Sequence, residues 1–184
     1  FGALAGHAKD ALFQPTRKTV IDPWAEAQGA VFEPVAQWRR ARYFPRAGED
    51  MHAAVNRECL AVRSSVGIFD ASTLGKIEVV GPDAAEFLNR MYTNPWKQLE
   101  PGRCRYGLLL REDGFITDDG VSARMAPDRF HLTTTTGGAA RVLNMMEDYL
   151  QTEWPDLNVW LTSTTEQWST VALNGPNAAK LLAP

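Results

Sequence analysis

The sequence predicts an α+β fold in which helices pack on an antiparallel or mixed sheet. Short β-rich runs are joined by hairpin turn signals such as Asp113-Gly114, and runs with apolar residues three and four apart stand between them. Hairpin-linked strands with interspersed helices are typical of α+β proteins and argue against a doubly wound parallel sheet. The composition, 45% apolar and 22% charged, is that of a globular protein.

Charge and cysteine content exclude several kinds of partner. Nineteen basic residues against 22 acidic ones give a net charge of −3, so we expect no nucleic acid or anionic membrane partner. No run approaches the roughly 18–20 apolar residues of a membrane span. Cys59 and Cys104 are too few for a disulfide framework, and no His/Cys group has zinc-site spacing, so we predict no metal. A cytoplasmic location is the corresponding expectation.

Residues 1–50 combine frequent prolines with aromatic side chains. The prolines argue against long helices, and the aromatic residues argue against disorder. We therefore predict an irregular Pro/aromatic-rich arm over 1–50, followed by a domain over 51–184. The helix-like run at 177–182 stops after two turns, so we expect a fragment truncated at its C-terminal end.

The start of the domain predicts a helix, a strand and a second helix. Apolar residues over 51–66 recur at three, four and seven, which indicates a helix with one buried face, and Gly67 would cap its C-terminus. Residues 76–80 alternate like a half-buried strand. Gly-Pro-Asp at 81–83 ends that strand, and 84–91 carry the apolar face of the next helix.

The phrase at 79–88 recurs at 171–182 as strand, Gly-Pro, Asp or Asn, Ala-Ala and helix. It is either a common turn used twice by chance or a duplicated unit. The segment between the two copies predicts a helix at 139–150 and several strands. These strands are 103–110, 115–117, 121–125, 130–136 and 157–161.

Asp118 and Asp119 are adjacent, after a predicted strand and before Gly120. Neighbouring side chains of a strand point to opposite faces, so at most one of the two faces a given pocket. Two readings remain open for the pair. It forms a solvated turn, or one carboxylate accepts hydrogen bonds from paired N–H groups of a heterocyclic ligand such as a pterin.

Four threonines at 133–136 precede Gly137-Gly138. They form either a strand with cross-strand hydroxyl bonds or a polar wall whose glycines let a ligand approach the backbone. Tyr106 stands in the middle of a predicted strand, where it either stacks on a planar ligand or packs in the core.

Several phrases resemble the glycine-cleavage T-protein (aminomethyltransferase) family. Others more closely resemble the folate domain of heterotetrameric sarcosine oxidase alpha subunits, and that resemblance spans essentially the whole chain. The T-protein phrases are 66–72, 75–79, 81–84, 101–103 and 113–119; the sarcosine oxidase phrases are 1–6, 29–33, 38–40, 71–76, 102–107, 118–121 and 133–140. The fold implied is the N-terminal half of a T-protein-like fold.

The resemblance implies an oxidoreductase of one-carbon metabolism. In such complexes sarcosine is oxidised at a flavin on another subunit, and tetrahydrofolate on the alpha subunit captures the one-carbon unit as 5,10-methylenetetrahydrofolate. FAD, FMN and NAD would belong to the parent complex and not to this chain. The implied partners are folate and the beta, gamma and delta subunits.

The resemblance also assigns residues. Asp119 would be catalytic, holding the folate near its reactive nitrogens and assisting proton transfer. The cofactor-binding set would be Tyr106, Asp119, Val121, Thr135 and Gly138. The family's second half, which completes the folate pocket, is missing, so we expect the fragment alone to be inactive and to bind folate weakly or not at all.

Two alternatives differ in class from this reading. One is a stand-alone aminomethyltransferase or a dimethylglycine-oxidising relative, although Thr73 stands where glycine-cleavage enzymes usually carry His. The other is a non-catalytic subunit-interaction module that uses the 1–50 arm as its contact surface, and Asp119 would then be dispensable.

Overall fold

The computed structural model describes residues 17–183, which divide into two compact units. The first unit comprises the described residues up to Thr73 together with those from Ser169, and the second is Leu74–Trp168. The helices are α1 (Asp22–Ala27), α2 (Met51–Ser64), α3 (Ala84–Met91), α4 (Ala139–Thr152) and α5 (Ala178–Leu182), with a 3₁₀ turn at Trp96–Gln98. The strands are β1 (Arg17–Lys18), β2 (Val31–Val35), β3 (Trp38–Tyr43), β4 (Gly67–Asp70), β5 (Gly75–Val80), β6 (Cys104–Leu110), β7 (Ile116–Ala126), β8 (Arg129–Thr134), β9 (Trp160–Ser163) and β10 (Val171–Asn174).

The described part of the predicted arm is regular, which corrects the expectation of an irregular segment. It contains α1 and a three-stranded sheet in the order β1-β3-β2. Pro23 falls in the first turn of α1, where its missing N–H breaks no helical hydrogen bond, and Pro34 lies on the edge strand β2. Residues 1–16, including the lead-in phrase at 1–6, lie outside the described residues, and the boundary at residue 50 remains a prediction.

Helix α2 forms as predicted, but its buried face does not. The Asp50 side chain caps it by accepting a hydrogen bond from Ala53 N at 2.8 Å. Ala54 is the buried residue of this helix, whereas Val55 and Cys59 of the predicted face are exposed. Gly67 begins β4 instead of capping the helix, and a Cβ there would lie 2.3 Å from Val62 Cγ2. Spacing reveals which side chains share a face, but burial depends on what covers that face.

The second unit is built on a five-stranded antiparallel sheet in the order β6-β7-β8-β5-β9. Its core contains residues from α3, α4 and the 3₁₀ turn together with inward-pointing residues of the sheet. The fully or nearly fully buried members include Ile77, Val79, Phe87, Leu88, Trp96, Leu109, Phe130, Leu132, Val142 and Met146. This arrangement confirms the predicted α+β class, with the sheet entirely antiparallel in this unit.

Three strands differ by two or more residues from their predicted bounds, and one of them, β8, ends at Thr134, two residues earlier than predicted. Strand β7 continues through Asp118, Asp119 and Gly120, so the Asp pair lies within a strand and not in a solvated turn. Strand β9 begins at Trp160, three residues later than predicted. In a sequence, a glycine inside a strand resembles a turn signal. Gly120 is required in β7 because β8 approaches its backbone too closely for a side chain.

Candidate ligand site on the five-stranded sheet

Tyr106 and Asp119 lie together on one face of the sheet. The core residues of β6 and β7 lie on the opposite face. In the pairing of these strands, Tyr106 lies opposite Val121 and Leu108 lies opposite Asp119. Side chains alternate along a strand, so Tyr106, Asp119 and Val121 share one face, while Leu109 is buried on the other. The Tyr106 hydroxyl donates a hydrogen bond to Asp119 Oδ2 at 2.5 Å. Tyr106 is 55% exposed and Val121 43% exposed.

The carboxylate of Asp119 raises the pKa of Tyr106. The hydrogen bond stabilises the neutral phenol, and the negative charge next to it opposes formation of the phenolate. The Tyr106 phenol therefore stays a neutral donor to the Asp119 carboxylate. Tyr106 does not lie in the core, which was one of its two sequence readings.

A spectroscopic titration checks this pairing. Because the folded-state pKa of Tyr106 is raised, the hydrogen bond is fully present below the usual tyrosine pKa of about 10 and is lost as the pH rises through the raised value. The difference between the ultraviolet titrations of the wild type and Tyr106→Phe should show a tyrosine that ionises above pH 10. A tyrosine signal at or below the usual pKa would contradict the Tyr106–Asp119 bond.

Thr133 fixes the backbone beside this pair. Its hydroxyl oxygen accepts a hydrogen bond from Val121 N at 2.9 Å and donates one to Val121 O at 3.1 Å. Between Asp119 and Val121, a Cβ on Gly120 would lie 1.9 Å from Thr133 O, so β7 and β8 approach each other unusually closely. The threonine run signalled polar side chains at this wall, but the sequence alone did not single out Thr133.

Asp118 points to the opposite side and is buried, with its side chain 3% exposed. Its Oδ1 accepts hydrogen bonds from Asp119 N at 2.8 Å and Thr135 N at 2.9 Å, and its Oδ2 accepts one from the Thr135 hydroxyl at 2.9 Å. The two carboxylates thus point to different sides of the strand, as alternation predicts. Asp119 is the one on the open face.

Thr135 and Gly138 gather around Asp118 and not around the Asp119 side chain. The Thr135 hydroxyl oxygen also accepts a hydrogen bond from Gly138 N at 3.2 Å. A Cβ on Gly138 would lie 1.6 Å from Asp118 Oδ2. The sequence-predicted site residues therefore form two groups: an open-face group of Tyr106, Asp119 and Val121, and a buried group of Thr135 and Gly138 with Asp118. Ligand contact by either group remains a prediction.

Arg141 is a cation near the buried group that sequence reasoning did not identify. It lies in the first turn of α4, donates a hydrogen bond to Thr117 O at 2.8 Å and has Nη2 4.0 Å from Asp118 Oδ2. Its side chain is 65% exposed. The sequence signal that could have identified Arg141 is its position three residues after Gly138.

Two cavities belong to the first unit, whereas the five-stranded sheet belongs to the second. Two cavities of about 300 and 540 Å³ share Trp24, Phe44 and Phe69 in their walls, and both are lined entirely by residues of the first unit. Within residues 17–183, no three His, Cys, Asp or Glu side chains are grouped as they would be to hold a metal. No helix in the same range combines the length and apolar character needed to cross a membrane.

Known proteins match this chain over nearly its whole length. Residues 21–184 match the model of the GCVT N-terminal domain family. Sarcosine oxidase subunit alpha of Corynebacterium sp. (strain P-1) is 57% identical over 183 residues, which are 100% of this chain and 19% of that protein. The corresponding subunit of Rhizobium meliloti (strain 1021) is 50% identical over 99% of this chain and 18% of its own length. The chain therefore spans about a fifth of the length of these curated relatives.

A solved structure matches the fold. The crystal structure of glycine cleavage system aminomethyltransferase T from Bartonella henselae superposes with a TM-score of 0.79 at 30% sequence identity. The match covers 90% of this chain and 42% of that chain. The predicted T-protein-like fold and the resemblance to sarcosine oxidase alpha subunits are thereby confirmed.

Proposed function

The chain belongs to the GCVT N-terminal domain family, and from that membership we propose that it is the folate-binding part of a sarcosine oxidase alpha subunit. The 57% and 50% identities to sarcosine oxidase alpha subunits support this choice over a stand-alone aminomethyltransferase. When bound, tetrahydrofolate supplies the nitrogens that take up the one-carbon unit from the oxidised amine as 5,10-methylenetetrahydrofolate. The observation that carries the proposal is the Tyr106–Asp119 pair on the open sheet face.

The open-face group fits the chemistry of a pterin ring. A carboxylate accepts hydrogen bonds from two N–H groups at once, and a reduced pterin presents paired N–H donors along its edge. Tyr106 occupies one acceptor position of Asp119 Oδ2, which leaves Oδ1 and the remaining lone pair of Oδ2 for the two donors of the ligand. The exposed ring of Tyr106 and the exposed Val121 side chain give a flat ring an apolar surface to lie on.

The residues divide the work between orientation and proton transfer. Tyr106 holds the Asp119 carboxylate in one rotamer, and the Thr133 bonds hold the Val121 backbone next to it. In our proposal, Asp119 binds the ligand through charged hydrogen bonds and exchanges a proton with the reacting nitrogen. The Tyr106 hydroxyl remains a donor throughout, because its raised pKa keeps it neutral.

The proposal extends to the parent complex. The beta, gamma and delta subunits would be the partners, and FAD, FMN and NAD would be bound elsewhere in the complex. A cytoplasmic location and the division into 1–50 and 51–184 remain part of the proposal. The 184-residue chain by itself is expected to bind folate more weakly than the full-length subunit.

Calorimetry with folinic acid, a stable folate, tests the function. The protein is the full-length alpha subunit that we propose contains this chain, with the 184-residue chain measured alongside. Saturable binding by the full-length subunit is the expected result. An absence of binding by that subunit would overturn the folate assignment and favour a subunit-interaction module.

A further inference from the structure

We propose that Asp118 is a positioning residue that couples Asp119 to the turn at 135–138, so that both groups of predicted site residues are held in one geometry. This inference rests on the proposed folate function. It assigns to the first aspartate of the pair a role different from that of its neighbour, because Asp118 is buried on the side of β7 opposite the open face.

The bonds of Asp118 reach both groups. Its Oδ1 accepts from Asp119 N, the amide of the residue that carries the open-face carboxylate, and also from Thr135 N. Its Oδ2 accepts from the Thr135 hydroxyl. One carboxylate thus links the backbone of β7 at Asp119 to the segment that follows β8. Hydrogen bonds to a charged group are stronger than neutral ones and directional enough to fix this geometry.

The turn at 135–138 packs closely against Asp118. Gly138 is the N-cap residue of α4, and its N–H bonds both the carbonyl and the hydroxyl oxygen of Thr135. The Asp118 carboxylate occupies the space where a Gly138 side chain would be. The carboxylate therefore also lies at the positive end of the α4 dipole, where negative charge is favoured.

The consequence is that displacement of the turn moves Asp119. If the Thr135 hydroxyl is lost, Asp118 loses one of its two anchors on the turn, and the Asp119 amide loses a fixed acceptor. The Asp119 carboxylate then no longer stands in one position relative to Tyr106. Ligand affinity should fall even though Asp118 is buried on the side of β7 opposite the open face.

A double-mutant cycle on the full-length subunit tests the coupling. The variants are Asp118→Asn, Thr135→Val and the double variant, each measured for folinic acid affinity and for thermal unfolding. In Asp118→Asn, an amide N–H₂ replaces Oδ2 beside the Thr135 hydroxyl. The amide nitrogen cannot accept the hydrogen bond that this hydroxyl donates, and the hydroxyl oxygen already accepts one from Gly138 N. The Thr135 hydroxyl therefore loses its acceptor. We expect each single variant to weaken binding roughly tenfold and the double variant to weaken it little further, because both remove the same link. Thr135→Ser keeps the hydroxyl and should bind like the wild type.

Asp83→Asn is the matched control. Asp83 is in the same unit, and its carboxylate likewise accepts a backbone hydrogen bond, from Asn158 N at 2.9 Å. This variant should leave affinity within about twofold even if its unfolding temperature falls, which separates positioning from general stability. If the wild-type subunit binds folinic acid, an unchanged affinity of Asp118→Asn or additive losses in the double variant would overturn this inference alone. A wild type that does not bind would overturn the proposed function as well.

Discussion

Replacing Asp119 by Ala is expected to weaken folinic acid binding to the full-length subunit by about 10- to 100-fold. A hydrogen bond to a charged group contributes roughly 1.5–3 kcal/mol, and every 1.4 kcal/mol is a factor of ten in affinity. The effect on folding should be small, because the Asp119 side chain is only partly buried and its bond within residues 17–183 is to an exposed tyrosine. Calorimetry gives the affinity, and denaturant unfolding of the same samples gives the stability.

Two tyrosine-to-phenylalanine substitutions supply the comparison and the control for this experiment. Tyr106→Phe removes the donor that orients Asp119 and should weaken binding several-fold, less than the loss of the carboxylate itself. Tyr149→Phe removes a similar bond, from the Tyr149 hydroxyl to Glu112 Oε1 at 3.1 Å, outside the open-face group, and should leave affinity unchanged. Equal binding by the wild type and Asp119→Ala would contradict the assignment of Asp119 and require another anchor for the folate.

The elements of the second unit could be predicted because their patterns are local. The alternation at β5 and the apolar spacing of α3 each report one buried face, and both elements form where expected. The order β6-β7-β8-β5-β9 could not be predicted, since it depends on pairings between residues that are far apart in sequence. The regular elements of the described part of the arm could not be predicted from proline content, because the first helical turn and an edge strand both tolerate proline.

The candidate site could likewise be predicted only in part from the sequence. Strand alternation predicted that Asp118 and Asp119 face opposite sides, but not which side is the core. That choice follows from the register, which places Asp118 opposite the buried Leu109. The grouping of Thr135 and Gly138 with Asp118 depends on a contact across 17 residues, for which the sequence contains no signal.

Gly120→Ala is expected to be the most disruptive small substitution on this sheet. The added Cβ would lie 1.9 Å from Thr133 O and 2.7 Å from Thr133 C, both backbone atoms, so no side-chain rotation relieves the clash. The strands must separate, at a cost of about 1–3 kcal/mol or more, as for other overpacked sites. Because Gly120 lies between Asp119 and Val121, the same displacement should weaken folinic acid binding at least tenfold where the variant remains folded.

Gly137→Ala separates this clash from the general effect of replacing a glycine. A Cβ on Gly137 meets no atom within 4 Å, so this variant should keep wild-type stability within about 0.5 kcal/mol or gain slightly from the stiffer unfolded chain. Denaturant unfolding of the two variants measures the difference directly. Wild-type stability in Gly120→Ala would mean that β7 and β8 are not in close contact at Thr133. The backbone that presents Asp119 would then not be held in place by that contact, and the proposed folate recognition would lose the rigid open face that it requires.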